Sequence, residues 1–279
     1  MAPAQRRIWL CADDYGISPA VNAGIRELIA RGRLNAVSVM TMAPHLGANE
    51  AAALDKLNSG SKRAALGLHV TLTAPFEPLS EGFAPLLNGQ FLPLKTVMRL
   101  ATLRRLNGEK LAREVSAQVQ AFVAAFGRPP DFIDGHQHVQ LFPQVRDAVL
   151  KAAAERAPRA WVRQCGRARS ARRLKGRKEL LLDILSVGFR RKARWAGVAT
   201  NPAFAGAYDL KSDFAKTFPR FLAGLPDGGL IMCHPGFVDA ELKRLDPLTG
   251  QREKELAYFN SDEFPRALAE HGVTLAVPD

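Results

Sequence analysis

The sequence predicts an α/β protein built around a parallel sheet. Short apolar runs alternate with amphipathic helical stretches along most of the 279 residues, which is the order that consecutive βαβ units require. This length is long for one domain but ordinary for a single α/β barrel. The alternation fits both a barrel and a doubly wound sheet, and we expect one domain over residues 1–279.

The elements follow one another in a regular order. "IWLCA" is the first strand candidate, and a helix is predicted from about Ser18 to Arg31. The helix "EKLAREVSAQVQAFVAAFG" is the most periodic, because its apolar residues lie on one face and Gly127 stands at its end. The other predicted elements are strand "AVSVMTM", a helix near 47–58, strand "AALGLHVTL", strand and loop "DFIDGHQHV", a helix at about 143–156, and strands "AWVRQ", "GLIMCHPG" and "VTLAV".

Residues 71–94 interrupt this alternation. They are rich in Pro and Gly and carry few helical signals. A connection of this length without secondary structure is usually functional. We therefore predict that residues 71–94 form a lid loop over a site.

The composition excludes several classes of protein. Hydrophobic residues make up 47% of the chain, which is enough for a large core and unlike a disordered protein. No stretch approaches the ~18 apolar residues that cross a bilayer, and the run after Arg6 and Arg7 is too short for a signal peptide. The three scattered cysteines suit a reducing compartment and argue against a cysteine zinc site. We expect a cytoplasmic protein.

The net charge of +12 is concentrated in one segment. Residues 151–194 contain fifteen Lys/Arg and three acidic residues, so 15 − 3 = +12, and the rest of the chain is neutral. Such a concentration indicates a localised anionic partner or surface.

Three interpretations of this segment compete. It is a solvated basic helical insert, at about 165–200, or it docks on an anionic membrane at the inner membrane face, or it binds nucleic acid. The third has charge in its favour but no motif and no aromatic stacking platform, so no nucleic acid is expected. In the first interpretation, a set of apolar residues packs on the barrel. In the second, the leucines of this set and Phe189 lie at the lipid interface. That set is Leu180, Leu181, Leu182, Ile184, Leu185 and Val187.

Acids and histidines recur directly after the predicted strands. The carboxyl ends of parallel strands face one side of the fold and form its active site. Each residue alone is a weak signal, since "DDYG" could cap a helix and a lone histidine is usually structural. The HxH spacing directs both imidazoles to the same side of an extended chain. Together they favour one site made of Asp13, Asp14, His69, His136, His138 and His234.

These residue types suit hydrolysis assisted by one metal ion. A carboxylate and two neutral imidazoles bind a divalent ion and leave positions open for water and substrate. A second carboxylate can act as general base, and an imidazole on the opposite side can protonate the leaving group. The chain has no GxSxG motif that would indicate a nucleophilic serine.

Four motifs carry a resemblance to a known family. "ADDYGISPAVNAGI", "LGLHVTLT", "DFIDGHQHVQLFP" and "IMCHPGFVD", in this order, resemble the YdjC-like (ChbG-type) carbohydrate deacetylases over nearly the whole chain. "LLLDILSVGFRRKARWAG" and "TNPAFAGAYDL" further resemble the HpnK-type branch, which is associated with hopanoid biosynthesis.

The resemblance implies a fold, an activity and residue roles. It implies a distorted TIM-like barrel that uses Mg²⁺ or Zn²⁺ to remove an N-acetyl group from an amino sugar, here an N-acetylglucosaminyl hopanoid lipid. Asp14, His69 and His136 would be the metal ligands. Asp13 would be the general base and His234 the general acid. A homodimer is also implied.

One motif departs from the family pattern. The family often reads HHHVH where this chain reads "HQHVQ", with Gln137 and Gln140. The first histidine is kept, and His138 is left as a supporting group or a substrate contact. Arg163, on "AWVRQ", is expected to pair with Asp13 and hold it ionised.

Three alternatives stay open at this point. The chain could be a deacetylase of soluble chitooligosaccharides. It could be an amidohydrolase-type metal hydrolase, although the HxH motif of that class normally follows the first strand. It could also be a basic protein that binds a membrane or nucleic acid, with purely structural histidines.

Overall fold

The computed structural model describes residues 5–59, 64–168 and 176–276. The strands are β1 (Arg6–Tyr15), β2 (Ala36–Val39), β3 (Ala65–Val70), β4 (Phe132–Gly135), β5 (Trp161–Val162), β6 (Phe204–Ala205), β7 (Leu230–Cys233) and β8 (Val273–Leu275). The helices are α1 (Pro19–Ala30), α2 (Ala48–Asn58), α3 (Leu94–Thr102), α4 (Gly108–Phe126), α5 (Val145–Arg156), α6 (Arg177–Trp195), α7 (Phe214–Leu222), α8 (Ala240–Leu245), α9 (Gly250–Asn260) and α10 (Glu263–Glu270), with a 3-10 helix at His136–Leu141.

The strands form one parallel sheet that curls into a distorted barrel. Their order is β5-β4-β3-β2-β1-β7-β6, and β8 pairs with the start of β1. Near the ends of this order, the Val162 amide donates to the Ala199 carbonyl at 2.9 Å and the Phe204 amide to that of Gly166 at 3.0 Å. The predicted single-domain α/β barrel is therefore confirmed.

Local sequence explains the best-defined elements. In β1, Ile8, Leu10 and Cys11 are fully buried, as expected for a parallel strand covered on both faces. Helix α1 begins where the Ser18 side chain accepts from the Val21 amide. Helix α4 ends at Gly127, whose φ of 68° is the left-handed conformation that glycine adopts without strain.

Two predicted strand ends differ from the structure. β1 continues past "IWLCA" to Tyr15, but Ala12 pairs with Val37 and Tyr15 with Val39, so β1 carries one extra residue and forms a bulge. The "HQH" motif is not extended, because Gln137 and His138 have φ of 54° and 62° within the 3-10 helix. The expectation that its two imidazoles point the same way on an extended chain is wrong.

The predicted lid loop carries no helix over residues 71–93. It is attached to α4 at Glu114, whose buried carboxylate accepts from the Leu79 amide at 3.1 Å and the Ser80 amide at 2.8 Å. Its role as a lid stays a prediction.

The basic segment contains α6, which is apolar on two faces. Leu182 and Phe189 are buried against the barrel. Four other residues of the set predicted to pack there are exposed, so that part of the prediction is wrong, and the buried Phe189 is not available to a membrane. The four are Leu180, Leu181, Ile184 and Val187.

Part of the basic segment cannot be placed on the structure. Arg169, Arg172, Arg173 and Lys175 lie outside the described residues. Among the described helices, none has the length and hydropathy needed to cross a bilayer.

Candidate active site

The bulge in β1 explains how two neighbouring carboxylates reach one site. Consecutive side chains on a regular strand point to opposite faces. Asp14 has a φ of 70°, the left-handed region that aspartate tolerates better than most residues. The bulge therefore lets the side chains of Asp13 and Asp14, which are 2% and 1% exposed, share one buried site at the carboxyl end of β1.

Asp14 lies against two imidazoles from neighbouring strands. Its Oδ1 atom is 3.0 Å from Nδ1 of His136, which follows β4, and 3.3 Å from Nε2 of His69 in β3. One donor atom from each of the three residues lies within 4.8 Å of the others. A carboxylate and two imidazoles at this spacing fit a single divalent ion such as Zn²⁺.

His69 is oriented by groups behind it. Its Nδ1 atom is 2.6 Å from Asp134 Oδ1 and 3.0 Å from Ser38 Oγ, so Nε2 is the nitrogen that faces Asp14. Burial opposes protonation, but the carboxylates of Asp134 and Asp13 outweigh it and raise the pKa of His69 to about 10. The surroundings of His69 thus favour positive charge, and a carboxylate behind a histidine is the usual support of a metal ligand.

Asp13 makes a bidentate ion pair with Arg163, the pairing expected from the sequence. The guanidinium donates to Oδ2 at 2.7 Å and to Oδ1 at 2.6 Å, and it also lies 2.5 Å from Asp134 Oδ2. Burial raises the pKa of Asp13, but Arg163 outweighs burial and lowers the pKa to about 2. Cys11, Asp13 and Asp134 also lie close enough to hold an ion, but the guanidinium already supplies the cation there.

A second buried arginine holds Asp14. Arg252, on α9, donates from Nη2 to Asp14 Oδ2 at 2.6 Å and to Asp246 Oδ2 at 2.7 Å. Burial again opposes ionisation, and Arg252 and His136 hold the pKa of Asp14 well below its usual range. Because Arg252 takes Oδ2, the oxygen that faces the imidazoles is Oδ1.

His234 follows β7 and approaches the other side of the Asp14 carboxylate. Its Nε2 is 4.0 Å from Asp14 Oδ2, and its backbone N–H donates to Glu255 Oε2 at 2.5 Å. Burial lowers the pKa of His234 to about 4, so the imidazole is neutral at neutral pH. Burial also raises the pKa of Glu255 to about 7, and the Tyr208 hydroxyl donates to this carboxyl.

His138 lies apart from the ligand cluster. Its Nδ1 is 3.6 Å from Cys165 Sγ, and its ring meets Phe204 edge to face at 5.7 Å between centroids. Burial lowers its pKa well below the usual value. His138 is therefore an uncharged imidazole held against Cys165 and Phe204.

The predicted lid loop reaches the ligand cluster at one point. The Phe76 ring stands perpendicular to the His136 ring with centroids 5.9 Å apart, and Phe76 is itself buried. The loop thus packs directly against a candidate ligand.

Sequence reasoning missed three groups that support the site. Asp134 stood in the quoted motif "DFIDGHQHV", two residues before His136, and this position on the strand was an available signal. Arg252 and Glu255 are on α9 within "QREKEL", a stretch that reads as an ordinary solvated helix. Their pairing with Asp14 of β1 and with His234, which follows β7, depends on tertiary structure alone.

The fold and these residues together define a class of protein. A curled parallel barrel with an Asp-His-His cluster beside a buried Asp-Arg pair, at the carboxyl ends of its strands, is typical of metal-assisted hydrolases. The model of the family described as YdjC-like protein matches residues 7–270. The chain belongs to this family.

Individual relatives agree with that membership. A chitooligosaccharide deacetylase of Proteus mirabilis is 31% identical over 267 residues, which cover 95% of this chain and 94% of that protein. A chitooligosaccharide deacetylase of Citrobacter koseri is 28% identical over 275 residues, with 97% of each chain covered. A crystal structure of a candidate cellobiose-phosphate cleavage protein of Enterococcus faecalis has a TM-score of 0.75 at 21% identity, with 98% of each chain covered, and supports the fold.

Proposed function

We propose that this protein is a metal-dependent carbohydrate deacetylase that hydrolyses the N-acetyl group of an amino sugar. The observation that carries the proposal is the Asp14–His69–His136 cluster beside an Asp13 carboxylate that Arg163 keeps ionised. The names of the relatives, chitooligosaccharide deacetylases, point to the same reaction class.

Each residue has a role that its surroundings support. Asp14, His69 and His136 would hold one Mg²⁺ or Zn²⁺, which polarises the acetyl carbonyl and makes a bound water more acidic. Asp13 would accept the proton of the attacking water. A carboxylate with a pKa of about 2 is a weak base, so it needs an acidified water as its partner.

Hydrolysis of an amide also needs a proton on the departing nitrogen. His234, on the Oδ2 side of Asp14, is the group we assign to deliver it. Because its pKa is about 4, it is neutral before the reaction and must first gain a proton. The attacking water loses one proton and the sugar amine gains one, so the two steps balance if that proton passes from Asp13 to His234.

The substrate we propose is a lipid-linked amino sugar, an N-acetylglucosaminyl hopanoid as in the HpnK-type branch. The support is a cavity of about 730 Å³ next to the site. Its wall includes Cys165, which contacts His138, and Tyr208, which contacts Glu255. The apolar part of the wall is formed by Ala168, Leu182, Phe204, Ala205, Ala207, Leu210, Phe221, Ala223 and Leu225, and the polar part by Arg167, Arg177, Lys178, Glu179, Asp209, Ser212, Thr217 and Arg220.

The apolar part of this wall is the part that would hold an aglycone, because a lipid skeleton gains free energy by leaving water. Soluble chitooligosaccharides, the substrates that the relatives' names give, are the alternative. An enzyme that takes a lipid-linked sugar must also reach a membrane from the cytoplasmic side, and α6 is the element that could make this contact.

Acetate release tests the reaction and the substrate together. Metal-loaded protein is compared on N-acetylglucosaminyl hopane and on N,N′-diacetylchitobiose. We expect a higher kcat/KM on the lipid, and acetate from chitobiose alone would contradict the substrate proposal while the deacetylase proposal stands. Acetate from neither would contradict the deacetylase proposal.

A pair of variants tests the cavity itself. Ala207→Phe narrows it, and we expect kcat/KM on the lipid to fall by about tenfold or more, with little change on chitobiose. Ala124→Phe, at an exposed position of α4, adds the same side chain away from the cavity and should change neither. An equal loss on both substrates in Ala207→Phe would refute a subsite for the aglycone.

Metal analysis tests the alternative in which the protein is not an enzyme. A deacetylase of this kind should hold about one divalent ion per chain. A protein without bound metal that binds DNA with a steep salt dependence would support the nucleic-acid alternative. Light scattering of the same sample measures the oligomeric state, which is predicted to be a homodimer.

A further inference from the structure

Helix α6 has an apolar face that points away from the barrel. At 100° per residue, its inward positions are the buried Leu182, Ser186, Phe189 and Ala193. The opposite arc contains Leu180, Ile184, Val187 and Trp195, which are 56%, 61%, 59% and 72% exposed. A helix that is apolar on both sides is normally covered on both sides.

This outward face is formed by Leu180, Leu181, Ile184, Val187 and Trp195 (the α6 stripe). The first four recur at helical spacing over about two turns, and Trp195 follows after Arg191 on the same side of the helix. At a rise of 1.5 Å per residue the stripe is about 22 Å long. Scattered exposed leucines need no explanation, but a contiguous apolar stripe indicates an interaction surface.

The charges around the stripe are positive. Arg191 and Arg194 are exposed on the same side of α6, and the Arg191 guanidinium lies 5.3 Å from the centre of the Trp195 ring. The two acids of α6 are not on this face, and Asp183 is buried in a salt bridge with Arg167 at 2.8 Å. The partner that complements this face is therefore both apolar and anionic.

A second copy of the chain fits this face poorly. Two stripes packed about a twofold axis would bring the same arginines of both copies together, and no carboxylate on the described outward face would offset them. An anionic bilayer offers head groups for the arginines and an acyl boundary for the apolar side chains. Tryptophan beside arginine is also typical of the membrane–water interface.

We propose that α6 is a membrane-docking helix that lies flat on an anionic phospholipid bilayer through the α6 stripe. Its inner face stays packed: the Ser186 hydroxyl accepts from the Cys165 amide at 3.0 Å, and Phe189 is fully buried. The helix is thus already formed and held before contact, so docking does not require it to fold. This proposal does not depend on the deacetylase reaction.

The location of the helix connects docking to the cavity. Arg177, Lys178 and Leu182 of α6 line the cavity beside the site. A bilayer seated on the outer face of α6 therefore lies one helix away from the space that we assign to a lipid aglycone.

Vesicle flotation tests the proposal with the full-length protein. Vesicles of phosphatidylcholine alone are compared with vesicles in which one third of the lipid is phosphatidylglycerol, at low and high salt. We expect flotation only with the anionic vesicles, weakened by salt. In the double variant Ile184→Glu/Val187→Glu, vesicle binding should fall by at least about tenfold.

A matched control separates the stripe from general surface hydrophobicity. Leu103→Glu changes a leucine that is 55% exposed outside α6, and it should float like the unchanged protein. Thermal unfolding and acetate release from a water-soluble substrate should be the same in all three proteins, so a failed docking test says nothing against the reaction.

Three results would overturn the proposal. One is flotation that the double variant does not reduce. Another is a dimer in light scattering that the double variant dissociates, since the stripe would then bind a second copy. The last is tight binding to nucleic acid with no binding to anionic vesicles.

Discussion

Asp13 and Asp14 differ in what surrounds each carboxylate, and this predicts two different defects from the same substitution. In Asp14→Asn, the amide oxygen must face Arg252, because a guanidinium only donates hydrogen bonds and Nη2 lies 2.6 Å from Oδ2. The amide NH₂ then occupies the Oδ1 position between His69 and His136. An NH₂ group does not ligate a metal, so Asp14→Asn removes a ligand completely.

The expected magnitude for Asp14→Asn follows from the ligand count. Loss of a group that merely supports a ligand typically lowers metal affinity ~10–100-fold. Loss of one of three protein ligands should exceed that, so we expect at least about 100-fold weaker binding. Turnover should fall in proportion to the metal lost.

Asp13→Asn should behave differently. Asp13→Asn changes none of the three residues proposed to bind the metal, so the metal affinity should stay within about threefold of the unchanged protein. This is a smaller effect than the loss of a group that supports a ligand. Arg163 loses one of its two bonds to Asp13 but keeps Asp134 at 2.5 Å, so its charge stays paired and we expect a stability loss of about 1–3 kcal/mol. Without the base, turnover should fall ~10²–10⁴-fold at saturating metal.

Three measurements on each variant separate these outcomes. Calorimetric titration with Zn²⁺ gives the affinity, acetate release at saturating metal gives turnover, and urea unfolding gives stability. Asp227→Asn is the control, since this carboxylate is 56% exposed and remote from the site. If Asp13→Asn loses the metal, or if Asp14→Asn binds it normally, the division into one ligand and one base is wrong.

Further predictions concern protonation and support of the site. Carboxylates raise the pKa of His69 to about 10, whereas a histidine that ligates a metal must be neutral. Binding of Zn²⁺ to the metal-free protein at pH 8 should therefore release about one proton. Calorimetric titrations in buffers of different ionisation enthalpy measure the number of protons released, and a value of zero would contradict the prediction. Ser38→Ala removes a hydrogen bond to His69 Nδ1 and should weaken metal binding about tenfold by the same titration; unchanged affinity would count against a positioning role. Folding raises the pKa of Glu255 to about 7 from an ordinary 4.5, so ionisation of this carboxyl destabilises the folded state. The free energy of unfolding should therefore fall by about 3 kcal/mol between pH 4.5 and pH 7. Urea unfolding of Glu255→Gln should lack this component, and an identical pH dependence in both proteins would refute it.

The fold was predictable where burial is uniform. In parallel strands covered on both faces, nearly every residue is apolar, and "IWLCA" and "LIMC" are such runs. The later helices were harder to predict because their signals are mixed. Helix α7 contains Pro219, and α9 buries Arg252 and Glu255, so neither has the polar and apolar faces that define a surface helix.

The candidate site was predictable in the same uneven way. Asp14, His69 and His136 lie at or just after the carboxyl ends of three strands. In a parallel sheet these ends lie on the same side even when the strands are far apart in sequence. Arg252 had no comparable signal, because its partner Asp14 is 238 residues earlier and arginine is common in this basic chain. The backbone turn at "HQH" was also not predictable, since positive φ, as at Gln137 and His138, is uncommon for residues other than glycine.

Two buried carboxylates side by side should repel and share a proton, unless each has a cation of its own. Here the cations come from opposite directions: Arg163 follows β5 and takes both oxygens of Asp13, whereas Arg252 comes from α9 and takes one oxygen of Asp14. The bulge at Asp14 brings both side chains to one site, where each meets its own arginine. The unequal pairing supports the proposed roles, since the carboxylate with an oxygen left beside two imidazoles is suited to hold a metal. The fully paired neighbour, Asp13, is held as an anion, which is the protonation state that the proposed general base needs.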